Sequence, residues 1–105
     1  MKKIMIVEDD EVIKDDLSEL LKNTSYLVDS VKKYEKAKEE IFKYNPDLIL
    51  LDINIPYLNG ELLLKEIRKE SSVPVIMVTS KSGEIDEALS ITYGADDYIT
   101  IPYNP

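Results

Sequence analysis

The chain alternates between short apolar runs and longer stretches in which apolar residues recur every three or four positions. Ile4-Met5-Ile6-Val7, Leu48-Ile49-Leu50-Leu51 and Val75-Ile76-Met77-Val78 are uninterrupted. Runs of this length read as strands buried on both faces, as in the middle of a parallel sheet. Tyr26-Leu27-Val28-Asp29-Ser30-Val31 is broken by polar residues and predicts a strand at or near an edge. Tyr98-Ile99-Thr100-Ile101 predicts a last strand. Between these runs the period lengthens. Val12, Ile13, Leu17, Leu20 and Leu21 fall at helical spacing and predict an amphipathic helix over about 10–23. Tyr34, Ala37, Ile41 and Phe42 predict a second over about 34–44, closed by Pro46. Glu61 opens a third, with Leu63, Leu64 and Ile67 inward and Leu62 flanking, and Ser71-Ser72-Val73-Pro74 breaks it. Ile85, Ala88 and Leu89 predict a weaker fourth over about 84–93, capped by Gly94.

Strands and helices therefore alternate along the whole chain. That order calls for an α/β fold, a parallel sheet with helices on both faces joined by right-handed crossovers. The sequence stops after a strand, although covering both faces would take one more helix, on the order of a dozen residues. The expectation is a domain over 1–105 that is incomplete at its C-terminus or has one face covered by another chain.

At 105 residues, one domain with a single core is feasible. A net charge of −8 argues against this domain holding nucleic acid or an anionic membrane by itself. No apolar run approaches a membrane span, and Met1-Lys2-Lys3 is followed too soon by acids to start a signal peptide. Cysteine and histidine are both absent, which removes thiolate chemistry, His catalysis and His metal ligands. Carboxylates, hydroxyls, lysines and the backbone are left to do any chemistry.

In a parallel sheet the C-terminal strand ends share one edge, and ligands of open α/β sheets bind there. The first strand ends in Glu8 and Asp9, the third in Asp52, the fourth in Thr79 and Ser80. A charge inside an apolar strand is costly, so Asp52 belongs where the strand opens to solvent. Carboxylates brought together repel unless a cation or a proton intervenes. With hard oxygen donors, Mg²⁺ is the natural cation. A carboxylate beside Mg²⁺ can act as a nucleophile toward phosphorus. A hydroxyl at Thr79 could donate to a phosphoryl oxygen. Asp10 and Glu11 read as acids of a first helical turn.

These stretches, together with Ile53-Asn54-Ile55-Pro56, Asn59-Gly60 and Gly94-Ala95-Asp96-Asp97-Tyr98-Ile99-Thr100, resemble the receiver domain of two-component response regulators over essentially the whole chain. The resemblance implies a flavodoxin-like doubly wound five-stranded sheet, order 2-1-3-4-5, lacking the usual last helix. It implies that Asp52 accepts phosphate from a sensor histidine kinase. Glu8 and Asp9 resemble the acidic metal pair, with Asn54 offering its backbone carbonyl to Mg²⁺ or Mn²⁺. Thr79 resembles the switch hydroxyl and Tyr98 the aromatic switch. It further implies a cytoplasmic signalling domain, not an enzyme beyond self-phosphorylation and self-dephosphorylation. The Glu-Asp pair resembles the subfamily whose receivers carry a winged-helix DNA-binding domain. The missing helix leaves room for a homodimer or a domain-swapped assembly.

One position departs from the family pattern. The residue before Pro102 is normally lysine and here is Ile101. Without that ammonium the phosphorylated pocket keeps roughly one more uncompensated negative charge and loses a charge-assisted hydrogen bond. Two readings follow: a phosphoacceptor with weakened coupling to Thr79 and Tyr98, or a pseudo-receiver that binds partners without phosphorylation. A phosphatase on the same scaffold is disfavoured, because no second acid follows Asp52 at short spacing.

Overall fold

The computed structural model describes residues 1–52, 55, 58–79 and 97–100, the last four and Thr79 by their backbone. The expected helix over 84–93, Asn54, Ser80, Gly94 and Ile101 lie outside the described residues. So do the side chains of Thr79 and Tyr98.

Strand β1 (Lys3–Val7) leads to α1 (Glu11–Asn23), β2 (Leu27–Ser30), a single 3₁₀ turn (Tyr34–Lys36) and α2 (Ala37–Tyr44). Then come β3 (Leu48–Leu51), α3 (Gly60–Glu70), β4 (Val75–Thr79) and β5 (Asp97–Thr100). The strands form one five-stranded sheet, order β2-β1-β3-β4-β5, and every neighbouring pair is parallel. This is the flavodoxin-like order that the resemblance implies.

Period-two alternation splits the strands between two layers. Met5, Val7, Ile49, Leu51, Val75 and Met77 point to one face, where Ile41 of α2 and Leu63, Leu64 and Ile67 of α3 close over them. Ile4, Ile6, Leu50 and Val78 point to the other, against Leu17 and Leu21 of α1. The central strands bury both faces, which is why residues 4–7, 48–51 and 75–78 are unbroken apolar runs. Edge strand β2 alternates exposed and half-buried residues.

The helix ends are set by local chemistry. The Asp10 carboxylate accepts from the Val12 and Ile13 N–H groups at 3.0 and 3.2 Å, capping α1. Asn59 caps α3 by accepting from the Leu62 N–H at 3.0 Å. Asn45 ends α2 in the left-handed conformation (φ 55°), a geometry that asparagine tolerates.

The half-buried stripe of α1 runs through Ile13, Lys14, Leu17, Ser18 and Leu21. Val12 and Leu20, at helical spacing in the sequence, instead stand 64% and 62% exposed. At 100° per residue, Val12 projects nearly opposite the centre of that stripe and Leu20 about a quarter turn from it.

Candidate functional site: an acidic cluster at the sheet edge

The apolar strands carry their terminal acids to one place. Register pairs Val7 with Leu51, and the Asp52 N–H donates to the Val7 carbonyl at 2.9 Å. The residues following these pairs, Glu8 and Asp52, are thereby side by side. Carboxylate oxygens of Glu8, Asp9 and Asp52 all lie within 4.8 Å of one another. Glu8 is 4% exposed and Asp52 7%, while Asp9 is half-buried at the mouth. Thr79 ends β4 beside β3 at the same sheet edge.

Burial strongly disfavours charge on Glu8 and pushes its carboxyl up to about 8. The Asp10 N–H, donating to Glu8 Oε1 at 3.0 Å, opposes this. A hydrogen bond with Asp52 and the charges of Asp52 and Asp9 add to the rise. Until a cation binds, these influences favour a protonated Glu8 beside the carboxyl groups of Asp9 and Asp52. A divalent cation would do the same electrostatic work better. All three donors are hard oxygens gathered around one point, a set suited to Mg²⁺ or Mn²⁺.

Of the predicted site residues, Glu8, Asp9 and Asp52 are brought together. Asp10 stands apart in function, its carboxylate taken up by the α1 cap. One neighbour escaped the sequence reading. The Tyr34 hydroxyl donates to the Glu8 backbone carbonyl at 3.0 Å, across 26 residues of chain. Tyr34 reads in sequence only as an apolar helix-face position, and no local signal marks the contact.

The doubly wound parallel sheet with an acidic cluster at its C-terminal edge agrees with the resemblance to response-regulator receiver domains. The family model for the response regulator receiver domain matches residues 4–105, and the chain belongs to that family. Sensory transduction protein RegX3 from Mycobacterium tuberculosis (strain ATCC 25618 / H37Rv) is 39% identical over 104 residues, covering 99% of this chain and 46% of the relative. RegX3 from Mycolicibacterium smegmatis gives the same figures. The chain thus spans about half the length of these curated relatives. Among solved structures, the N-terminal domain of the nisin resistance regulator NsrR is 40% identical, with a TM-score of 0.89 over 99% of this chain and 88% of that one. The BeF3-activated N-terminal receiver domain of Klebsiella pneumoniae RstA is 32% identical, with a TM-score of 0.90 over 98% and 88%. Among the described residues, no helix is long and apolar enough to cross a membrane.

Proposed function

We propose that this chain is a phosphoacceptor switch. Asp52 takes a phosphoryl group from the phosphohistidine of a sensor histidine kinase, and the modified domain changes a partner surface that controls an output such as transcription. The carrying observation is the convergence of Glu8, Asp9 and Asp52, with Asp52 nearly buried at the end of an apolar strand. An Asp52 carboxylate oxygen forms the new bond to phosphorus as the bond from phosphorus to the kinase imidazole nitrogen breaks. That nitrogen leaves with the electron pair and takes a proton. Glu8, Asp9 and Asp52, with the Asn54 carbonyl, would hold Mg²⁺ or Mn²⁺. The bound cation supplies positive charge against the like-charged phosphoryl group and carboxylate. Thr79 is the switch hydroxyl and Tyr98 the aromatic switch of this reading. The greater length of the curated relatives supports an output segment elsewhere in the full protein, and the Glu8-Asp9 pair supports one of the winged-helix kind. The net charge of −8 assigns any nucleic-acid contact to that segment rather than to this domain. The reading places the protein in the cytoplasm and leaves dimerisation as a property of the full chain.

Ile101 favours a second reading, an interaction module that works without phosphorylation. Intact-mass analysis after incubation with Mg²⁺ and a small acyl-phosphate donor separates the two. An Mg²⁺-dependent phosphate adduct, absent in Asp52→Asn, is expected of the phosphoacceptor. A folded chain with no adduct overturns it in favour of the interaction module.

A further inference from the structure

The loop carrying Glu8 and Asp9 is held from outside as well as from β1. The Tyr34 hydroxyl donates to the Glu8 carbonyl, and the ring packs half-buried against the core between sheet and α2. Tyr34 is itself fixed by its surroundings. The Val31 N–H donates to the Ile6 carbonyl at 3.1 Å, continuing the pairing of β2 with β1. The Glu40 carboxylate then straddles the next two residues. Its Oε1 accepts from the Lys32 N–H at 2.9 Å and its Oε2 from the Lys33 N–H at 2.8 Å. One acidic side chain on α2 thus sets the path of the backbone into the 3₁₀ turn that begins at Tyr34.

The place where Tyr34 takes hold matters. The Glu8 carbonyl belongs to the planar peptide unit that also contains the Asp9 nitrogen and Cα. Fixing that carbonyl fixes the plane, and with it the direction in which Asp9 leaves the backbone. Asp9 is the most exposed of the three clustered acids and lies on the loop between β1 and α1. Burial holds the Glu8 and Asp52 side chains in place, whereas Asp9 depends on its backbone for aim.

We propose that Tyr34 is a positioning residue for the cation site: its hydroxyl, held in register by Glu40, orients the Glu8–Asp9 peptide so that the Asp9 carboxylate meets a divalent cation. This rests on the reading of the acidic cluster as an Mg²⁺ site. Groups that orient the ligands of a metal typically cost ten- to a hundredfold in affinity when removed.

The test is Mg²⁺ titration followed by calorimetry, with thermal unfolding in EDTA, on the wild type and on Tyr34→Phe, Glu40→Gln, Ile67→Val and Asp9→Asn. Tyr34→Phe keeps the ring and removes only the donor. Its Mg²⁺ affinity is expected to fall about tenfold, while Ile67→Val, a conservative core change on α3, binds as the wild type does. Glu40→Gln is expected to weaken binding in the same direction, and adding it to Tyr34→Phe to weaken it little further. In the acyl-phosphate reaction Tyr34→Phe should need more Mg²⁺ for half-maximal modification yet reach the wild-type rate at saturation. Unchanged affinity in Tyr34→Phe, or a loss matched by Ile67→Val, overturns the role of Tyr34 while leaving the metal site intact. A wild type that binds no more Mg²⁺ than Asp9→Asn overturns both. If Tyr34→Phe does not fold, Glu40→Gln against Ile67→Val decides by the same comparison.

Discussion

Strand β3 carries an aspartate near each end, and the two are treated in opposite ways. Asp47, just before the strand, is exposed and accepts from the Lys3 N–H at 2.8 Å, while its own N–H donates to the Lys3 carbonyl at 2.7 Å. The Lys3 ammonium lies nearby, donating to the Tyr44 carbonyl at 2.7 Å and sitting 5.0 Å from the Tyr44 ring centroid. Asp52, at the far end, is nearly buried among other carboxyl groups. One aspartate is matched to donors and serves the fold. The other shares a hydrogen bond with Glu8 and lies among like-charged groups, an arrangement suited to receiving something positive or electrophilic. In an acid-rich chain, the company a carboxylate keeps says more than its presence.

The comparison breaks most sharply in chemistry. Asp52→Asn should lose the Mg²⁺-dependent phosphate adduct completely, whereas Asp47→Asn should be modified like the wild type, both read by intact mass. Equal modification of the two variants would erase the distinction.

The next effect is on stability. Folded Glu8 keeps its proton up to about 8, whereas its ordinary value is 4.5. Between these limits the folded state binds more protons than the unfolded one, so metal-free stability must fall as pH rises through that window. The whole fall is on the order of a few kcal/mol, since one pKa unit is worth roughly 1.4 kcal/mol. Thermal unfolding in EDTA should show a Tm that declines from pH 5 to 8. Glu8→Gln should flatten the decline. Mg²⁺ should raise the wild-type Tm far more at pH 8 than at pH 5, where it competes with the proton.

Smaller effects belong to the acids that serve the fold. Asp10→Ala removes the α1 cap and should cost about 1 kcal/mol in chemical denaturation, with the phosphate adduct still formed. Asp47→Ala removes one exposed acceptor and should cost about 0.5–1 kcal/mol, unaffected by Mg²⁺.

Much of this was legible in the chain itself. Three unbroken apolar runs announced strands buried on both faces, and their terminal acids announced a shared edge. The residues that misled are equally instructive. Val12 and Leu20 fit a helical period within their own segment, yet the side of α1 that meets the sheet is chosen by the crossover from β1. Asp10, by contrast, reads in the sequence as an acid of the first helical turn, and it does serve α1, as its cap. A cap is decided by which carboxylate faces the free N–H groups of the first turn.

Local periodicity and the placing of charges at strand ends were thus determined by the sequence, because burial of apolar surface acts on every residue in its own neighbourhood. Tertiary structure alone decided which side of α1 faces the sheet, and that Tyr34 grips a carbonyl 26 residues away. Those outcomes depend on parallel register and on how α1 and α2 lie against the sheet. Such long-range geometry exists only once separate segments have packed together.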